Sequence, residues 1–248
     1  MSDMNTAPAP IDQQPMSPIG RVFGVFWEPG RTFRDIVAKP SWLLPVILMV
    51  AFGLIFIFAM QQSIGIETMM RAQLDRSPQL QNMSAEQREQ ILAMQMRFIP
   101  IFMYVGVLIG APVFYLVVAL VLMYAFRIIR GSEVKFKQAF GITTHAFLPT
   151  MISGIMAVLV MQFINPADFD MQNPVMSNLG WLAGNDAAAW MKALLGSFDL
   201  FSFWVMILLA IGFAATKKKL STGSAFATIL PFWILMVLFR VGTASLQG

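Results

Sequence analysis

Cysteine is absent from the 248 residues and histidine occurs once. No disulfide, thiolate nucleophile, iron–sulfur cluster or cysteine-ligated zinc site can therefore be built, and the redox state of the compartment leaves no trace. Charge is scarce too: Asp, Glu, Lys and Arg make up 12% of the chain, against about 25% in an ordinary soluble domain. Catalytic signatures are also missing, with no His-Glu-x-x-His, no Gly-x-Ser-x-Gly, no phosphate-cradling Gly-x-x-x-x-Gly-Lys and no dinucleotide fingerprint. The chain reads as neither a metalloenzyme nor a nucleotide enzyme, and no cofactor is expected. What fills it is apolar. Hydrophobic residues make up 57%, and stretches 42–60 and 99–126 hold no Asp, Glu, Lys or Arg. Each is near the roughly 20 residues that cross a bilayer.

Five spans are expected, at about 42–61, 99–126, 139–164, 200–215 and 225–240, the fourth being the shortest. The expected fold is an all-α integral membrane protein, a five-helix transmembrane bundle with short interfacial amphipathic helices. Residues 1–18 carry Pro8, Pro10, Pro15 and Pro18 among polar spacers and read as a disordered cytoplasmic tail. They contain no apolar core of roughly 7–15 residues, so a cleavable signal is not expected. Residues 19–41 read as a cytoplasmic or interfacial amphipathic segment, and 42–248 as the membrane domain.

The net charge of +4 is sided. Eleven of the seventeen basic residues fall on one side of the expected topology: Arg21, Arg31, Arg34, Lys39, Arg127, Arg130, Lys135, Lys137, Lys217, Lys218 and Lys219. Short basic loops resist translocation, which places the N-terminus in the cytoplasm and the tail after Arg240 outside. The positive charge is thus read as topology, and no nucleic-acid partner is expected.

Three segments outside the spans read as ordered. Pro29 can start a helix whose Phe33, Ile36 and Val37 share a face, with Arg31, Arg34 and Lys39 around the opposite side. Such a helix is expected to lie on an anionic leaflet, its apolar residues inserted. Ser84 and Gln87 form a capping box opening a helix that runs into the second span. Asn185 or Asp186 can cap a helix in which Trp190, Met191, Leu194, Leu195 and Phe198 share a face. Lys217, Lys218 and Lys219 are expected at lipid headgroups, at about 1 kcal/mol each.

The spans hold no Asp, Glu or Lys, so ion-coupled transport has little to work with. His145 has no acid or second His near it and reads as part of a kink. Pro149 deprives the His145 carbonyl of its helical donor, and Thr143, Thr144, Thr150 and Ser153 are close enough in sequence to help. Pro112 is a second expected kink. Gly106 with Gly110, and Ala210 with Ala214, are small-xxx-small pairs expected to pack helices within the bundle or, for a homo-oligomer, between copies. The 20 methionines, interleaved with Ile, Leu and Phe, read as flexible apolar filling rather than metal ligands.

Three phrases carry a family resemblance. Trp27-Glu-Pro29-Gly-Arg-Thr-Phe33-Arg-Asp-Ile36 with Lys39-Pro40-Ser-Trp42-Leu-Leu-Pro45 is the first, and Gly131-Ser-Glu-Val-Lys-Phe136-Lys-Gln-Ala139-Phe140 through Pro149 the second. Ser197-Phe-Asp199-Leu200-Phe201-Ser-Phe-Trp204 followed by Gly212 is the third. Together they resemble bacterial members of the Yip family of multi-pass membrane proteins. The resemblance implies five helices, a cytoplasmic N-terminus and a short exterior C-terminus. Eukaryotic members are associated with Rab-type GTPases and vesicle traffic and are not enzymes. They carry Asp-Leu-Tyr-Gly-Pro ahead of the first span, whereas this chain has Asp199-Leu200-Phe201 ahead of the fourth, and no ligand site is carried over. The expected function is a membrane organiser in a bacterial plasma membrane, binding anionic lipid and recruiting a protein at its cytoplasmic face. The alternative is a carrier of a lipid or an uncharged solute.

Overall fold

The computed structural model describes residues 15–76, 83–166, 169, 173–184 and 187–246, and all regular elements among them are helical. The tail over 1–14 lies outside the described residues. Ser17 and Pro18, counted with that tail in the sequence, belong to the fold. The Ser17 hydroxyl accepts from the Gly20 amide at 3.0 Å, and Pro18 takes the first turn of α1 (Pro18–Trp27), where no amide hydrogen is needed. A second proline repeats the device at once, opening α2 (Pro29–Ala38).

α3 (Leu43–Ser63) and α4 (Ile66–Arg76) follow. α5 (Ala85–Val105) starts on the expected capping box, Ser84 and Gln87 exchanging bonds of 3.3 and 3.0 Å. It runs through a π-helical turn (Gly106–Gly110) into α6 (Ala111–Arg130). α7 (Phe136–Ala146) and α8 (Pro149–Met161) form one broken rod. A 3₁₀ turn (Leu179–Ala183), the short α9 (Ala189–Gly196), α10 (Leu200–Ala214) and α11 (Thr222–Ser245) complete the chain. The proposed caps of α9, Asn185 and Asp186, lie outside the described residues.

Four helices are long and apolar enough to cross a membrane: Leu43–Ser63, Ala85–Arg130, Phe136–Met161 and Thr222–Ser245. They overlap the first, second, third and fifth expected spans, the third ending at Met161 rather than at 164. The fourth coincides with α10, apolar but only 15 residues long.

The main core gathers α2, α6, α7, α10 and α11, with Phe126 and Phe213 stacked at 4.5 Å between ring centroids. Gly212 lets α10 approach so closely that a Cβ there would overlap Ile142 and stand 3.0 Å from the Phe33 ring. Ala210 is fully buried and Ala214 packs at the edge of this core. A smaller cluster of Met60, Ile64, Met161 and Phe169 closes the other end.

Two expectations change here. Phe33 and Ile36, expected to insert into a leaflet, are fully buried against α7 and α10. Gly106 and Gly110, expected to bring helices of the bundle together, are exposed, and a Cβ on either would meet nothing within 4 Å. They form the π turn instead. Pro112 cannot donate to the carbonyl four residues back, so the preceding turn widens and the Ala111 amide reaches the Gly106 carbonyl.

Candidate functional site

The basic ends of the helices are laced into one platform, and five of the stitches run from a side chain to a backbone carbonyl. Arg21, only 4% exposed, bonds Asp35 at 2.6 Å, the Lys39 carbonyl at 2.9 Å and the Ser41 hydroxyl at 2.6 Å. This fixes the α1–α2 hairpin to the base of α3. Gln138 donates to the Val37 carbonyl at 2.9 Å and ties the hairpin to α7. Gly131, at φ +58°, ends α6 in a left-handed turn, its amide reaching Arg127 and that of Ser132 reaching Phe126. The Ser132 hydroxyl then meets that of Thr216 at 2.8 Å.

Three cations bond groups inside this lacing. Arg127 donates to the Val134 carbonyl at 2.9 Å, and Arg130 to Thr228 and the Ser224 carbonyl at 2.7 Å each. Lys217, expected at headgroups, spans 2.5 Å to the Arg130 carbonyl at the end of α6, where the helix dipole favours a cation. Sequence reasoning counted Arg21 as surface charge and missed its role. The available signal was a lone Arg four residues before Val25, on the face of α1 opposite Phe23 and Trp27.

The remaining cations point outward. Arg31 is exposed and pairs with Glu28 at 3.1 Å. Arg34, Lys39, Lys135, Lys137, Lys218 and Lys219 are exposed and form no ion pair among the described residues. The platform thus presents positive charge on a rigid frame.

His145 lies buried within the third long helix, its Nδ1 2.8 Å from the Gly141 carbonyl. At the break, the Leu148 amide reaches back to the His145 carbonyl at 3.2 Å and the Thr150 hydroxyl donates to that of Phe147 at 2.7 Å. Thr144 bonds the Phe140 carbonyl at 2.9 Å, while the Thr143 hydroxyl is buried with no hydrogen-bond partner among the described residues. Among the described residues no group of three or more His, Cys, Asp or Glu could hold a metal.

A groove of ≈ 340 Å³ opens between α3, the π turn and α8. Its walls are Met49, Phe52, Phe56 and Val107, with Tyr115, Thr150 and Ser153 among its lining residues. At the opposite end from the platform, Arg71 bridges Glu67 at 2.9 Å and Glu89 at 2.8 Å, joining α4 to α5. The hydrogen bond from Arg71 holds the Glu89 carboxyl below its ordinary pKa, and the same bonds raise that of Arg71.

The family phrases acquire structural reasons. Asp199 caps α10, accepting from the Ser202 amide at 2.8 Å and from Ser177 at 2.5 Å, while the Trp27 to Ile36 phrase forms the hairpin corner. A family model described as the Yip1 domain matches residues 23–242. The membrane protein YknW of Bacillus subtilis (strain 168) is 25% identical over 218 residues, covering 87% of this chain and 87% of that protein. No solved structure matches.

Proposed function

The chain belongs to the Yip1 family of membrane proteins, and on that premise we propose that it is a non-catalytic organiser of a bacterial plasma membrane. Its basic end faces the cytoplasm and recruits a protein partner. The observation that carries this reading is the platform: helix ends locked by side-chain bonds to backbone carbonyls, with Arg34, Lys39, Lys135, Lys137, Lys218 and Lys219 outward. A rigid charged face is a preorganised surface for an acidic partner and steers its approach. Five crossings, with α10 as the fourth, complete this arrangement and leave the segment after Arg240 outside.

Purification in mild detergent should recover a protein partner that is lost when Lys135, Lys137, Lys218 and Lys219 are changed to Gln together. The same protein in liposomes should carry no ion current. A partner retained by the quadruple variant would contradict the platform as the recruiting face.

A second reading, carriage of a lipid or an uncharged solute, is favoured by one feature, the groove with its Tyr115, Thr150 and Ser153 lining. Saturable movement of lipid or solute in those liposomes, abolished by Gly154→Leu, would promote it over the first.

A further inference from the structure

The structure assigns the lipid-seated edge of the basic end to α1: we infer that Ile19, Phe23 and Trp27 sit in the headgroup–acyl boundary of an anionic leaflet, so that α1 is an in-plane anchor. The three recur every fourth residue on one helix face, and they are 64%, 63% and 82% exposed. The opposite face of α1, with Arg21 and Val25, is buried. α2 is the reverse case, its apolar face used up by the core and its outward positions occupied by Arg31, Arg34 and Ala38.

Two observations select a lipid surface as the occupant. The first is position. Arg21 bonds the Lys39 carbonyl and the Ser41 hydroxyl, immediately before α3 begins at Leu43, and α1 also touches α3. The row is therefore held at the level where a bilayer begins, beside a helix whose Leu43 and Ile47 are themselves exposed. The second is charge. Both acids of the hairpin are already neutralised, Glu28 by Arg31 and Asp35 by Arg21. Arg34 and Lys39 are left as net positive charge, complementary to anionic headgroups. Trp27, at the end of the row, is the residue type that favours the interface.

The inference does not depend on partner recruitment, and its test reads lipid contact directly. The chain has no cysteine, so Ile19→Cys, Phe23→Cys, Trp27→Cys and Ala38→Cys each give one labelling site, all on exposed positions that leave the core intact. Spin-labelled full-length protein in nanodiscs containing phosphatidylglycerol is exposed to oxygen and to a water-soluble nickel complex. Labels at 19, 23 and 27 should show nickel accessibility several-fold below that at 38, with raised oxygen accessibility. Equal nickel accessibility at all four sites would overturn the inference. Protection that appears only when a soluble cell fraction is added would also overturn it, assigning the row to a protein. In phosphatidylcholine nanodiscs nickel access at 23 should rise. Unchanged access there would remove anionic headgroups from the account.

Discussion

A buried guanidinium is costly unless its N–H groups find acceptors, and removing one partner of a buried ion pair costs about 3–5 kcal/mol because the other charge is stranded. Arg21 meets this demand with Asp35, the Lys39 carbonyl and the Ser41 hydroxyl. Arg21→Met should therefore loosen the hairpin strongly, read as faster trypsin cleavage between residues 18 and 41 and an earlier unfolding midpoint in detergent titration. Arg21→Met combined with Asp35→Leu should recover much of the loss, and a double variant as unstable as the single would refute the stranded-charge argument. Glycine gives a sign test. Alanine is favoured over glycine inside a helix by about 1 kcal/mol, so Gly106→Ala, facing open space, should leave thermal stability unchanged or raise it. Gly212→Ala should lower stability despite that preference, because its methyl must displace Ile142 and crowd Phe33.

Helix ends were legible wherever the local chemistry is self-contained. The capping box at Ser84 needs only Gln87, and the break before Pro149 follows from a missing amide hydrogen, so neither depends on distant residues. The faces of helices were less legible. A 3.6-residue period in α2 shows that one side is apolar without saying what covers it, and α7 and α10 cover it here. Gly106 and Gly110 present the same ambiguity: the spacing suits close packing, while the proline two residues on makes it a π turn. Pairing between elements has its own condition dependence. Arg71 holds Glu89 below its ordinary pKa, so this link between α4 and α5 is present above the ordinary glutamate range and is lost as pH falls through the depressed value. Both partners are exposed, and salt screens the link. The distance distribution between spin labels at Met70→Cys and Met94→Cys should broaden at low pH and at high salt. A distribution indifferent to both would mean that apolar contact alone joins the helices.

The topology of the whole molecule turns on α10. A helix of 15 residues rises about 22 Å, less than the roughly 30 Å of a bilayer's hydrocarbon core, so length alone does not establish that it crosses. Its surroundings favour crossing. The Lys217 end is bonded to α6 through the Arg130 carbonyl, and its neighbour Thr216 meets Ser132. The other end begins at Asp199 beside α9, where Arg240 of α11 comes within 3.8 Å of the Cβ position of Gly196. α10 therefore runs beside α11 from the basic end to the level of α9, and Phe198, Phe203 and Trp233 gather aromatic bulk at that end. A short span is accommodated by local thinning at a modest cost per ångström. Ser221→Cys, on the basic side, should react with an impermeant maleimide only in inside-out vesicles, and Met176→Cys only in intact cells. If α10 turned back without crossing, both cysteines would react from the same side, and the count of five spans would fall with it.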